Sequence, residues 1–179
     1  NLRRQRQMCI RDSDIGIQNS KISKIGKIEE EASQIIDASG LTVLPGCIDT
    51  QTHFREPGST DTEDLHTGSR AAIVGGITSV FEMPNTNPAT TNQKEFQRKI
   101  DLAKNRMFCN HAFYFGATPT NQNELASLKG LEGCCGVKLF AGSSTGTLLV
   151  HKEEDIEKVF ESTSKTVSYT HLTLPTKVR

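Results

Sequence analysis

The sequence has no tryptophan, only two tyrosines, and no surplus of either charge: Lys+Arg and Asp+Glu each number 21 among 179 residues. With zero net charge the chain has no global field to recruit nucleic acid or an anionic membrane surface. It also lacks any apolar run near the roughly 20 residues of a membrane span. Its five cysteines, Cys9, Cys47, Cys109 and the adjacent Cys134 and Cys135, contain no Cys-x-x-Cys pair. That spacing excludes a disulfide framework and argues against a structural zinc site. The thiols read as small apolar residues of a reduced, cytoplasmic protein. A phosphate loop is missing as well, because Gly142-Ser-Ser-Thr-Gly146 has no following Gly-Lys-Ser/Thr. That stretch reads instead as a mobile loop over a site. No Ser–His–Asp or Cys–His nucleophile set is legible.

The two ends stand apart from the rest. Residues 1–12 are basic and without period, so the apolar stripe of a transit peptide is absent. Met8-Cys-Ile-Arg-Asp-Ser13 resembles translated sequencing-adapter DNA, and Val167-Ser-Tyr-Thr-His-Leu-Thr-Leu-Pro-Thr176 resembles its counterpart. Segments 1–13 and 167–179 are therefore expected to be artefactual. His171 follows a strand-like run but is given no role.

Between them, residues 14–40 alternate apolar and polar, with Ile15, Ile17, Ile22, Ile25, Ile28 and Ile35-Ile36 punctuated by Asn19-Ser20 and Gly26. They read as short antiparallel strands of a small β appendage. Leu41–Asp49 follows as an apolar strand of the doubly covered, parallel type. A strand–helix rhythm then begins. Asp61 can cap a helix to about Val74, with Leu65, Ala72 and Ile73 inward and Gly75-Gly76 ending it. A strand is expected over Ile77–Glu82 and a helix from about Asn92 to Asn105, with Phe96, Ile100 and Ala103 on one face. A strand over Phe108–Phe115, a helix capped by Asn121, a strand over Cys135–Phe140 and a helix from Glu153 to about Thr163 complete four units. Ile156, Val159 and Phe160 are its expected buried side. Such a rhythm implies a parallel sheet, either an open one or half of an eight-fold barrel.

Unusual polar groups fall at the ends of these strands. Gln51, His53 and Arg55 stand at alternate positions after the first and so share a face. Asn85 follows the second, behind Met83-Pro84, and Lys138 lies within the fourth between Val137 and Leu139. A neutral imidazole can ligate zinc, and a planar guanidinium suits a carboxylate. The bland readings are a hydrogen-bonded core histidine for His53, an Arg55–Glu56 surface ion pair, and a turn amide for Asn85. An ammonium in an apolar strand pays desolvation, which drives its pKa toward neutrality and allows carbamate formation with carbon dioxide. Its bland alternative is a snorkelling or carboxylate-paired lysine.

Pro45-Gly-Cys-Ile-Asp-Thr-Gln-Thr-His-Phe-Arg-Glu-Pro-Gly58 resembles the first-strand signature of dihydroorotases, in the amidohydrolase superfamily. Glu63–Ala72, Gly75-Gly-Ile-Thr78, Glu82-Met-Pro-Asn-Thr-Asn-Pro88 and Gly136-Val-Lys-Leu-Phe140 continue the likeness, over roughly residues 14–166. It implies an α/β fold: the first four βα units of a (β/α)8 TIM barrel, residues 41–166, with part of a small β-sandwich, residues 14–40. The implied reaction is the reversible interconversion of dihydroorotate and N-carbamoyl-aspartate, with zinc activating water. By resemblance His53 is a metal ligand, Lys138 is a carbamylated ligand bridging two zinc ions, and Arg55 with Asn85 holds the substrate carboxylate. His53 also lines the substrate, and Phe54 contributes main-chain contacts to it. Gln51 replaces the first histidine of a His-x-His pair, and a neutral amide oxygen is a poor zinc ligand, which leaves one metal position weak or empty. The later ligands and the catalytic aspartate of the family belong to strands five to eight. This polypeptide is therefore expected to be inactive by itself. Two rival readings stay open. One is a metal-free scaffold partnering aspartate carbamoyltransferase, motivated by Gln51. The other is a hydantoinase or dihydropyrimidinase, against which Arg55 and Asn85 argue because those rings lack the carboxylate. The expected partners are a small-molecule substrate and either a second copy or aspartate carbamoyltransferase, with no nucleic acid and no membrane.

Overall fold

Asn19 and Ser20 both take positive φ, 52° and 59°, the conformation of the two-residue turn that joins twisted antiparallel strands. In the computed structural model, which describes residues 13–144, 146–164 and 166–170, they close β1 (Asp14–Gln18) onto β2 (Lys21–Gly26). The Asp14 carboxylate accepts from the Ile28 main-chain N–H at 3.0 Å and ties the following segment to the hairpin. The expected Ile35-Ile36 strand is instead irregular chain, and both side chains are exposed. The molecule divides into two units, Asn1–Val43 and Leu44–Arg179, and this hairpin belongs to the first.

The second unit is a five-stranded sheet in chain order: β3 (Cys47–Thr52), β4 (Ile77–Glu82), β5 (Asn110–Gly116), β6 (Cys134–Leu139) and β7 (Ser168–Thr170). Every neighbouring pair is parallel. The connections carry α1 (Leu65–Val74), α2 (Gln93–Ala103), α3 (Gln122–Ala126) and α4 (Glu153–Ser162). An unbroken sequential order has no point where the winding reverses, so this is the curled sheet of a partial barrel and not a doubly wound one. β7 lies within the stretch whose sequence resembles adapter-derived residues, and its strand pairs Tyr169 with Lys138. His171 lies outside the described residues.

The first barrel strand starts later than its apolar run suggests. Pro45 has no N–H to give a ladder. A Cβ on Gly46 would overlap the Thr78 side chain, so the main chain passes close there. Pairing begins at Cys47, whose N–H reaches the Gly76 carbonyl at 3.2 Å. β3 is also an edge strand, so Leu44 and Ile48 are exposed and the expected double cover is not formed there.

Alternation along the inner strands sorts the two faces of the sheet. Val80, Phe113, Phe115, Val137 and Leu139 join Leu65, Phe96, Leu125 and Val159 of the helices in one core. The residues between them turn to the other face, where Phe81 and Tyr114 meet edge to face at 6.2 Å. Lys138 lies on this inner face, between Val137 and Leu139.

Candidate functional site

β3 ends at Thr52, whose carbonyl accepts from Met83 N–H at 2.9 Å. Two turns leave the sheet side by side from this point. In one, Phe54 faces the core and is 7% exposed; a Cβ on Gly68 of α1 would overlap its ring. His53 is thereby directed to the opposite, inner side. Arg55 then adopts φ 61°, which ends the alternation expected to carry Gln51, His53 and Arg55 along one face. The second turn, Met83 to Pro88, lies against the first. Asn87 N–H donates to the Pro57 carbonyl at 2.9 Å, and Gly58 at φ 120° approaches Asn87 so closely that a Cβ would sit 2.8 Å from its oxygen.

These turns bring His53 and Asn85 together, with Nδ1 and Oδ1 2.9 Å apart. An amide oxygen only accepts, so Nδ1 carries the hydrogen and Nε2 keeps its lone pair. Burial holds the imidazole pKa below its usual value, and the positive charges of Arg55, Lys138 and Lys99 push the same way. His53 is a neutral ring with one basic nitrogen at pH 7, the form that ligates a cation. Lys138, on the inner face of the sheet, is near enough to His53 to act on it electrostatically.

Lys138 is 1% exposed, and desolvation lowers its pKa to about 8. About a tenth of the amine is then uncharged at pH 7, against about one part in three thousand for a solvated lysine. The ammonium lies 4.7 Å from the centre of the Phe140 ring. Gln51 is partly buried at the end of β3. Among the described residues no group of three or more His, Cys, Asp or Glu is placed to hold a metal ion. His53 and Lys138 are of the right kind, so the described residues fit part of a metal site and do not complete one.

Arg55 is exposed and does not pair with its neighbour. Glu56 is 7% exposed and belongs to Arg106, whose two terminal nitrogens reach its oxygens at 2.8 and 3.1 Å. The same carboxylate accepts from the Leu65 N–H at 2.9 Å, at the start of α1. Arg55 instead lies near enough to His53 and to Glu82 to influence both electrostatically.

Glu82 and Lys99 were not singled out in the sequence, yet they form a buried ion pair behind the site, 1% and 0% exposed. Burial pushes the Glu82 carboxyl up to about 7 against the pull of Lys99, and pushes the Lys99 ammonium down against the pull of Glu82. The signal was present: Lys99 is three residues after Phe96 and four before Ala103, within the buried stripe of α2.

Residues 42–175 match the amidohydrolase family. A dihydroorotase of Methanosarcina mazei is 40% identical over 151 residues, covering 83% of this chain and 33% of that protein. An allantoinase of Salmonella choleraesuis is 41% identical over 131 residues, 73% of this chain and 29% of that protein. Among solved structures, the L-hydantoinase (dihydropyrimidinase) of Arthrobacter aurescens superposes with a TM-score of 0.80 at 30% identity, over 89% of this chain and 36% of that one. The chain thus spans about a third of the length of the curated relatives it matches.

Proposed function

Because the chain belongs to the amidohydrolase family, whose members generally work with a metal, often zinc, we propose that it forms part of a metal-dependent dihydroorotase. The reaction would be the reversible opening of dihydroorotate to N-carbamoyl-aspartate. One observation carries the choice of ring: a guanidinium and a side-chain amide, Arg55 and Asn85, issue from adjoining turns beside a neutral imidazole. Dihydroorotate has a carboxylate for that pair to hold, and a planar fork binds a carboxylate through two parallel hydrogen bonds. Asn85 also fixes the His53 ring, so that Nε2 faces away from the amide. Lys138, poorly solvated, releases its proton more readily than a surface lysine, and addition of carbon dioxide would turn it into an anionic two-oxygen ligand. When bound, a divalent cation lowers the pKa of water and polarises the amide carbonyl. Zinc is the proposed ion, held in part by His53 and the Lys138 carbamate. Gln51 would add only a weak contact.

The test uses the full-length protein that carries this segment, assayed in parallel with dihydroorotate, allantoin and hydantoin. Turnover of dihydroorotate is expected, with kcat/KM falling about a hundredfold or more in Arg55→Ala. The similarity to allantoinases and hydantoinases supports a second reading, in which the ring has no carboxylate. Allantoin or hydantoin turnover that survives Arg55→Ala, with none on dihydroorotate, would establish it. Metal analysis addresses the scaffold reading motivated by Gln51: about two ions per chain support catalysis by a two-metal site, and none supports a scaffold.

A further inference from the structure

We infer that the buried Glu82–Lys99 pair is a positioning device, which clamps the turn bearing Arg55 to the turn bearing Asn85. For the ligand held there the inference rests on the reading above. For the clamp itself it rests on contacts. The charged ends of Glu82 and Lys99 touch. Lys99 reaches from α2 to the end of β4, where its ammonium also donates to the Met83 carbonyl at 2.8 Å. The Phe113 ring lies beneath it, 5.4 Å away at its centre. Met83 leads directly into Pro84 and Asn85. Glu82, in turn, pairs in the ladder with Thr52, the last residue of β3 before His53, and the nearby Phe54 main-chain N–H favours its charged form. One ion pair therefore holds the Met83 peptide at the start of one turn and stands, through the Thr52–Glu82 register, at the base of the other.

Stability alone does not call for charges at this depth. Apolar side chains of similar volume fill such a space as well or better, because each buried ion forfeits its hydration. Neutral main-chain bonds already join the same segments at either end, Met83 to Thr52 and Asn87 to Pro57. What lies between those bonds is the stretch carrying His53, Arg55 and Asn85. The pair stands directly behind it, on the helix side of the sheet. Its charges reach the site as well: Lys99 acts on His53, and Arg55 acts on Glu82. Glu82 and Lys99 are therefore positioning residues, and the groups that touch the ligand are the ones they hold.

The test is the double variant Glu82→Leu/Lys99→Met in the full-length protein, which exchanges the ions for apolar groups of like size. It is expected to melt at or above the wild-type temperature. KM for dihydroorotate should rise about tenfold or more while kcat changes by less than about threefold. A crystal structure of the variant should show Asn85 Oδ1 beyond hydrogen-bond reach of His53 Nδ1. An unchanged KM with that bond intact would overturn the inference. Should the double variant not fold, Glu82→Gln decides: it keeps the volume and an acceptor for the Phe54 N–H but loses the charge that holds Lys99. A lower melting temperature is expected in either case, because Lys99 loses its counter-charge; a KM raised about threefold or more at a temperature where the variant is fully folded supports the clamp, and a smaller change sinks it. If the wild-type protein opens no dihydroorotate, the substrate assignment fails by itself, and the His53–Asn85 distance in the variant still judges the clamp.

Discussion

Arg55 occupies a left-handed backbone conformation at φ 61°, a region that non-glycine residues enter at some cost. Its side chain and its backbone can therefore be separated. Arg55→Gly is expected to leave thermal stability unchanged or slightly raised while abolishing tight carboxylate binding, a split measured by melting temperature against KM. Gly68 offers the complementary case. A methyl there overlaps the Phe54 ring, and Phe54 adjoins His53. Gly68→Ala should cost about 1–3 kcal/mol in denaturant unfolding, because an overfilled core has to shift a ring next to the site. At this scale the sequence marks the candidate residues, though not the break at Arg55 that ends their common face. His53, Arg55, Asn85 and Lys138 are polar groups in or after apolar strands, and strand ends are where a parallel barrel gathers its chemistry. Glu82 and Lys99 escaped because a charged residue is read as facing water. On α2 that expectation favoured Ile100 over Lys99, and the structure buries Lys99 fully while Ile100 is only partly covered. No sequence period distinguishes a lysine that will find a carboxylate in the core from one that will not.

Apart from the Ile35-Ile36 strand, which did not form, the elements lie where the patterns place them, with shifts that have local causes. α1 begins at Leu65 and not after Asp61, since Asp64 makes the reciprocal cap: its carboxylate accepts from Thr67 N–H at 2.7 Å, and Thr67 supplies the return bond. A threonine in place of the usual glutamate or glutamine made that box hard to see. Asn121 precedes α3 but does not cap it. It accepts from Thr118 N–H and donates to the carbonyls of Thr91 and Gly116, binding loops together instead. Phe160 was expected inward on α4 and is 48% exposed, whereas Val159 is buried. Glu56 is the residue on which two elements depend, since it holds both the first N–H of α1 and the fork of Arg106 just past α2. Glu56→Ala should lower unfolding free energy by about 2–4 kcal/mol, with Glu56→Gln retaining roughly half, because the alanine leaves a helix donor and a guanidinium without their acceptor. Urea titration of the three proteins checks the order.

For the molecule as a whole, the buried pair predicts a dependence on pH whose sign can be worked out. The Glu82 carboxyl titrates near 7 when folded and near 4.5 when unfolded. Between those values the native state keeps a proton that the unfolded chain has lost, so stability falls as pH rises through that window and then levels. The contribution is at most about 3.5 kcal/mol, taking roughly 1.4 kcal/mol for each tenfold change in proton affinity. Lys99 is displaced downward, so its native form gives up a proton that the unfolded chain retains, and stability recovers on the alkaline side. Comparing wild type with Glu82→Leu/Lys99→Met at pH 5 and pH 7.5 isolates this slope, which the variant should lose. The sheet carries a second prediction. Ile48 on the edge strand, with Val74, Phe108 and Phe160 elsewhere in the second unit, presents apolar surface to water. This chain alone is expected to associate with itself, and a sharp cooperative melt of soluble monomer by calorimetry would contradict that.

The strand order gives that open edge a further meaning. Among the described residues each strand of β3 to β7 pairs with its predecessor and successor in the chain, so a ladder of this kind can be extended in the same order. A separately synthesised polypeptide supplying the succeeding strands could zip onto it without rearranging what is already built. Dihydroorotate turnover recovered by mixing two such pieces, each silent alone, would make the segment one half of a split enzyme.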